Sequence, residues 1–354
     1  MKNPNEREAY SYPAPLAKQL NTNIPIDFDK NREHDIAITF SKHYLGDDIN
    51  IVPTIVHELL HGFGFCAQLK IVHRGVIGND LPAFGGDYYM PELLSIDNRV
   101  EGKRTIKGFL PISIYEKNFV DIDNPNSYYF DESFDNLSSV KINYDLHNPP
   151  YIVEKENIKK FTGDMEKWNG METGIHFYER SHTEKSVAFR TNDGTLLYLC
   201  TYANSDDPDF NHLATPNFTY NSPDSVENQE VIDHNFILYR NNVGLNLSNE
   251  EKIKKFGKGK TVGLLSKDII SALETMGYHR KGSPPDNTVY EVVSQIVRNS
   301  KTYIKGEDVS NDDDTIVGGE EGSKNDEKSG TPNNSTQSLV YIFLLALCSI
   351  FMLH

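Results

Sequence analysis

The sequence predicts an α+β fold built around a buried helix and the strand that feeds it. Three observations predict it. Residues 51–63 are apolar nearly all round, as in a helix enclosed by a core. The run HDIAITF (34–40) alternates Ile36, Ile38 and Phe40 with polar or small neighbours, which is the period of a strand. With 354 residues the chain is long enough for a large core, in one elaborated domain or in two lobes.

The helix carries its own boundary signals. Asn50 is a suitable N-cap, and Pro53 falls in the first turn, where its missing N–H costs nothing. Ile51, Val52, Ile55, Val56, Leu59, Leu60 and Phe63 supply the apolar surface. Gly62 and Gly64 then allow the left-handed backbone that ends a helix and turns the chain.

Within the stretch HELLHGFGF (57–65), His57 and His61 are four positions apart. That spacing places both imidazoles on one helix face, one turn apart. Two neutral imidazoles so placed fill two positions of a tetrahedral Zn²⁺ site. Glu58 follows the first histidine and points to the side of the pair, where it serves as a general base rather than as a ligand. The competing reading is a buried helix that carries two of the chain's twelve histidines by chance.

Composition narrows the partners. A net charge of −16 and a pI near 5.2 argue against nucleic acid as the partner, because the acidic excess does not neutralise phosphates. Abundant Tyr (19) and Phe (18) fit a compact domain with polar loops rather than a disordered chain. Cysteines stand at 66, 200 and 348. Cys66 and Cys200 form either one disulfide, in an oxidising compartment, or two thiols. Sequons at Asn136, Asn217 and Asn246 permit glycosylation.

The two ends point in different directions. Leu339 to Leu353 is an apolar tail with no basic cluster after it, short for a membrane-spanning helix. Upstream lie the small residues Ser329, Gly330 and Thr331 and the polar spacer TPNNSTQS. Small site, spacer and apolar tail together read as a glycosylphosphatidylinositol (GPI) attachment signal, with Ser329 the first choice for the attachment site and Gly330 the second. A short tail-anchoring helix is the alternative. The tail predicts a cell-surface or secreted protein held to the membrane by a lipid. The first residues, MKNPNEREAYSYPAPLAKQL, lack the apolar core of a signal peptide, so a leader is expected upstream of Met1. Between core and tail, KGSPPDN (281–287) breaks the fold. NTVYEVVSQIVRNSKTYI reads as a short amphipathic helix with Val289, Val292, Val293 and Ile296 on one side. Gly306 to Ser338 is acidic, rich in Gly, Ser and Asn, and reads as a solvated stalk.

A strand feeding a buried helix with H-E-x-x-H is the core of the zincin architecture. In many metzincins the third histidine closes H-E-x-x-H-x-x-G-x-x-H, but here that place is Ala67. HELLHGFGF instead resembles the leishmanolysin-like branch of metzincin proteases, in which H-E-x-x-H-x-x-G-F precedes a long insertion and a distant histidine. The resemblance extends to PISIYEKNFVDIDNP (111–125), FTG (161–163), TYANSDDPDFNHLATPNFTYNSPD (201–224) and the closing-helix segment LLSKDIISALETMGY (264–278), thus roughly residues 35 to 280. The resemblance implies a zincin (metzincin-like) catalytic domain, with the active-site helix packed on a twisted mixed sheet and a long insertion, and it implies His212 as the third metal ligand. His176 in the strand-like GIHFY, His182 in the polar ERSHTEKS and His234 in VIDHNFILY compete, and a gluzincin reading would use a downstream Glu such as Glu92. Metzincins also carry a Met-containing turn beneath the metal. Here the corresponding place reads DSVEN (224–228), with Glu227 where Met is expected and Met276 the nearest alternative. Tyr220 is a candidate to polarise a substrate carbonyl, against a buried structural role.

The resulting organisation is an N-terminal subdomain over 1–64 with its helix at about 50–63, and an insertion or second lobe over 65–211. A C-terminal subdomain over 212–280 follows, then the short helix and stalk over 281–338 and the tail over 339–353. The function expected is a zinc-dependent endopeptidase with one Zn²⁺ on His57, His61 and His212, Glu58 as general base, and peptides or proteins as substrates. The alternative is a catalytically impaired surface adhesion or binding protein of the same fold.

Overall fold

The computed structural model describes residues 1–5, 9–26, 28, 34–39, 51–72, 87–98, 103–130, 144–147, 171–201, 208–214, 232–239, 247–284 and 286–292. These form an α+β protein. In chain order its helices are α1 (Ala14–Ala17), α2 (Ile51–Gly62), α3 (Met171–Ser181), α4 (Asn249–Lys252) and α5 (Lys267–Met276). Its strands are β1 (Asn21–Thr22), β2 (Lys70–Val72), β3 (Tyr88–Met90), β4 (Leu93–Asn98), β5 (Lys103–Phe109), β6 (Phe119–Asp121), β7 (Asn124–Tyr128), β8 (Tyr144–His147), β9 (Val187–Arg190), β10 (Leu196–Cys200), β11 (Asp209–Leu213), β12 (Thr261–Val262), β13 (Leu265–Ser266) and β14 (Val289–Tyr290).

A single mixed sheet was the expectation, and the described strands differ from it. The largest sheet has five strands in the order β11-β10-β9-β6-β7, and every pair in it is antiparallel. A three-stranded sheet β4-β5-β8 and three two-stranded pairs complete the set, with β1 and β14 pairing in parallel. Short connections explain the antiparallel bias: β9 returns into β10 through the turn at 191–195, where Gly194 has a φ of +85°. The core lies where this sheet meets α2 and α3. Phe65, Tyr115, Phe119, Phe177 and Phe189 are all fully buried there, their rings in edge, tilted and stacked contact.

Three further expectations are corrected. HDIAITF is not a strand over its described part (34–39), although Ile36 and Ile38 are half-buried while Ala37 and Thr39 are exposed. The alternation is present but no described strand pairs with it; instead the Ile36 side chain packs on Gly62, whose bare Cα admits it. GIHFY is not a strand either. It lies within α3, whose Phe177 and Gly174 turn inward while His176 faces solvent. Gly174 allows the helix to approach Tyr89 of β3 so closely that a Cβ would meet its carbonyl oxygen at 2.4 Å. Lastly, Val289 and Tyr290 are not helical. They extend as β14, where pairing with β1 and a bridge from Lys2 to Glu291 give their backbone a partner. Residues 293–354, which include the expected stalk and lipid-attachment tail, lie outside the described residues.

At the closing segment, α5 begins at Ser266, whose side chain accepts from the Ile269 N–H at 2.9 Å, and ends at Gly277 with a φ of +111°. Its Met276 is buried and lies against the Gly64 turn. Tyr278 then meets Phe63 edge-on at 5.6 Å between centroids. The end of α2 is thereby held against α5 and the residues that follow it.

Candidate metal centre

The site grows from the C-terminal half of α2. His57 and His61 project from one face, and their Nε2 atoms are 3.1 Å apart. Gly64, at φ +118°, turns the chain sharply with Pro13 packed so close that any Cβ would crowd it at 3.2 Å. The turn brings the Phe65 carbonyl back to within 2.8 Å of His61 Nδ1. His57 Nδ1 finds a different acceptor, the Ile237 carbonyl at 2.6 Å, on the 3-10 turn Phe236–Leu238.

The third nitrogen comes from the insertion's sheet. In β11, Leu213 faces Leu199 while Asp209 faces Cys200, so Phe210, Asn211 and His212 bulge opposite a single peptide step of β10. A bulge re-aims side chains, and these three point to three tasks. Phe210 is buried against Phe177 and Tyr89. The Asn211 side-chain oxygen accepts from the Ala67 N–H at 2.7 Å, tying β11 to the chain just after α2. His212 Nε2 reaches to 3.0 Å from His57 Nε2, and its Nδ1 lies 2.6 Å from Asp209 Oδ2.

The segment after α2 is fastened a second time by Glu116. Its buried carboxylate accepts from the N–H groups of Gln68 (2.5 Å), Leu69 (2.6 Å) and Ser113 (2.8 Å) and from the Ser113 hydroxyl (2.8 Å). Burial pushes the Glu116 carboxyl up from its ordinary value, against the pull of those donors.

The hydrogen bonds fix the histidine tautomers. Ile237, Phe65 and Asp209 present acceptors, so each Nδ1 carries the proton and donates outward. All three Nε2 atoms therefore turn lone pairs toward a common point. At 3.0–3.1 Å two such lone pairs repel, and a shared cation would relieve that repulsion. Tetrahedral bonds of about 2.1 Å put nitrogens roughly 3.4 Å apart, so an ion would require only a small outward relaxation. His57, His61 and His212 are the one described group of this kind that could hold a metal. Burial is the chief cause that lowers the pKa values of His57 and His61, and the adjacent His212 pushes both the same way. The shift favours the neutral form, the one that binds metal. Glu58, half-buried beside His57, opposes that shift through its charge on both rings.

The other histidines lie elsewhere. His176 is exposed, 3.5 Å from Asp121. His182 donates to the Tyr178 carbonyl at 2.8 Å, and His234 pairs with Asp268 at 2.6 Å. Glu92 does not join the three nitrogens. Cys66 is exposed and Cys200 half-buried, and no disulfide joins them. Tyr220 and Glu227 lie outside the described residues. The turn beneath His57 is Phe236–Leu238, with all three side chains buried.

Sequence reasoning did not find Asp209, Asn211, Glu116 or the Ile237 carbonyl. Asp209 had a signal, its place three residues before His212 in DFNH. A backbone carbonyl has none, since every residue offers one.

No match to this chain is found among protein-family models, curated proteins or solved structures.

Proposed function

We propose that the chain is a zinc-dependent endopeptidase with a zincin-like, leishmanolysin-like arrangement of its site. The observation that carries this reading is the convergence of three Nε2 lone pairs, each histidine held by an outward Nδ1–H bond, with Glu58 beside them on α2. His57, His61 and His212 would hold the ion and leave one tetrahedral position open. When bound, Zn²⁺ supplies a Lewis acid that polarises a carbonyl and makes water acidic near neutral pH.

The chain's own residues do the rest. The Glu58 carboxylate takes a proton from the attacking water as its oxygen bonds to the scissile carbon. It then delivers that proton to the amide nitrogen as the C–N bond breaks, so one water is consumed and an acid and an amine leave. Asp209, Phe65 and Ile237 hold the three rings in the orientation that this requires.

Metal analysis together with cleavage of casein, with and without chelator, tests the reading. About one zinc per chain and chelator-sensitive cleavage are expected. Zinc without turnover would favour a binding protein, and no zinc would overturn the metal centre. Display at the cell surface through a GPI anchor is a separate proposal that rests on the tail sequence, and release from intact cells by a phosphatidylinositol-specific phospholipase tests it. Among the described residues no helix is long and apolar enough to cross a membrane.

A further inference from the structure

The acceptor for His57 is unusual among the three in its remoteness: Ile237 lies 180 positions from the histidine it orients. Its carbonyl sits on a single 3-10 turn, and a turn that short has too few internal hydrogen bonds to fix itself. The contacts around it show how it is held. Asp233 Oδ1 accepts from the Asn235 N–H at 2.7 Å and from the Tyr239 hydroxyl at 2.5 Å, closing the segment on itself. Two side chains then clip it to the start of α5. His234 Nε2 donates to Asp268 Oδ2 at 2.6 Å, and the Ser266 hydroxyl donates to Asn235 Oδ1 at 2.5 Å. Ser266 is also the N-cap of α5, and Asp268 lies in its first turn, so both anchors belong to a rigid helix end. On the other side, Tyr239 bridges in parallel to Leu213, the residue after His212.

We infer that the pair His234–Asp268, with Asn235–Ser266, is a positioning bracket that sets the Ile237 carbonyl against His57 and so governs the centre's affinity for metal. The inference rests on reading the three histidines as a metal centre. No member of the bracket touches the three nitrogens; it acts through the turn. The same segment meets the helix-borne His57 through Ile237 and, through Tyr239, the strand of His212 at the neighbouring Leu213. Loosening it therefore misplaces one histidine relative to the other while leaving α2 itself intact.

The test uses the full chain, His234→Ala, and the conservative His234→Gln, whose amide N–H can still donate to Asp268. Zinc affinity is measured by competition with a chromophoric chelator, and the Nδ1–H resonances of His57 and His61 are followed by NMR of the metal-free proteins. For Ala, affinity falls by about tenfold, at the low end of outer-shell effects, and the His57 Nδ1–H signal broadens or is lost while that of His61 stays. Gln restores both. Unchanged affinity and an unchanged His57 signal in His234→Ala would overturn the bracket while leaving the metal centre in place. Absence of zinc from the unsubstituted chain would instead overturn the metal reading, and the inference with it. Should His234→Ala not fold, Asp268→Ala, which removes the acceptor, replaces it: weakened metal affinity supports the bracket, and wild-type affinity refutes it.

Discussion

His57 and His212 are 155 positions apart in the chain, yet their Nε2 atoms stand 3.0 Å apart with both Nδ1 protons turned away. Neither ring can donate to the other in that state. A cation between them would satisfy both facing lone pairs, which makes metal binding the first quantity to measure.

Zinc content is expected at about one ion per chain and about none in His212→Ala after dialysis. Since an ion that binds the folded state stabilises it by mass action, chelator should lower the melting temperature of the unsubstituted chain and leave His212→Ala unmoved. Equal chelator effects on both would remove His212 from the site.

Glu58→Gln keeps the size of the side chain and removes the base. Peptidase activity should fall at least ~100-fold, the lower bound for general-base contributions, with zinc content unchanged. Full activity in that variant would sink the assignment of Glu58.

Asp209 accepts from His212 Nδ1 at 2.6 Å and sits beside it in the β11 bulge. Asp209→Asn should weaken zinc binding by ~10–100-fold, as loss of an outer-shell carboxylate does. The folded fraction of the metal-free protein, followed by circular dichroism, should change little.

The metal-free protein should lose stability as pH falls from 7 toward 5. His57 and His61 have folded-state pKa values lowered by burial, so below the unfolded value of about 6.5 the unfolded chain binds more protons. The stability is present above that pH and declines beneath it. Glu116, raised by burial, acts in the opposite sense. The effect is therefore read as the difference in urea midpoints between the parent chain and the double variant His57→Gln, His61→Gln, in which the acid-side loss should shrink.

Gly64→Ala forces a Cβ into a φ of +118° and against Pro13. The cost is expected at about 1–3 kcal/mol in urea unfolding. Because that turn also delivers the Phe65 carbonyl to His61, zinc affinity should fall together with stability.

The sequence by itself determined the parts whose physics is local. The apolar periodicity of residues 51–63 and the glycines after them sufficed for α2, since a buried helix and its end are written in neighbouring residues. The i, i+4 spacing of His57 and His61 and the adjacency of Glu58 follow from helix geometry alone. The closing-helix segment 264–278 likewise contains α5, whose bounds at Ser266 and Gly277 are local capping contacts. What only the tertiary structure decided is the convergence. His212 reaches the pair because β11 bulges, and a bulge depends on a register with β10 that single-sequence alternation does not express. HDIAITF shows the reverse case, an alternation without a described partner strand, because pairing is a property of two segments and not of one. The outward bonds of the three rings also lie beyond sequence patterns: two of the acceptors are backbone carbonyls, and which carbonyl meets a ring is settled only when distant turns are packed against one helix.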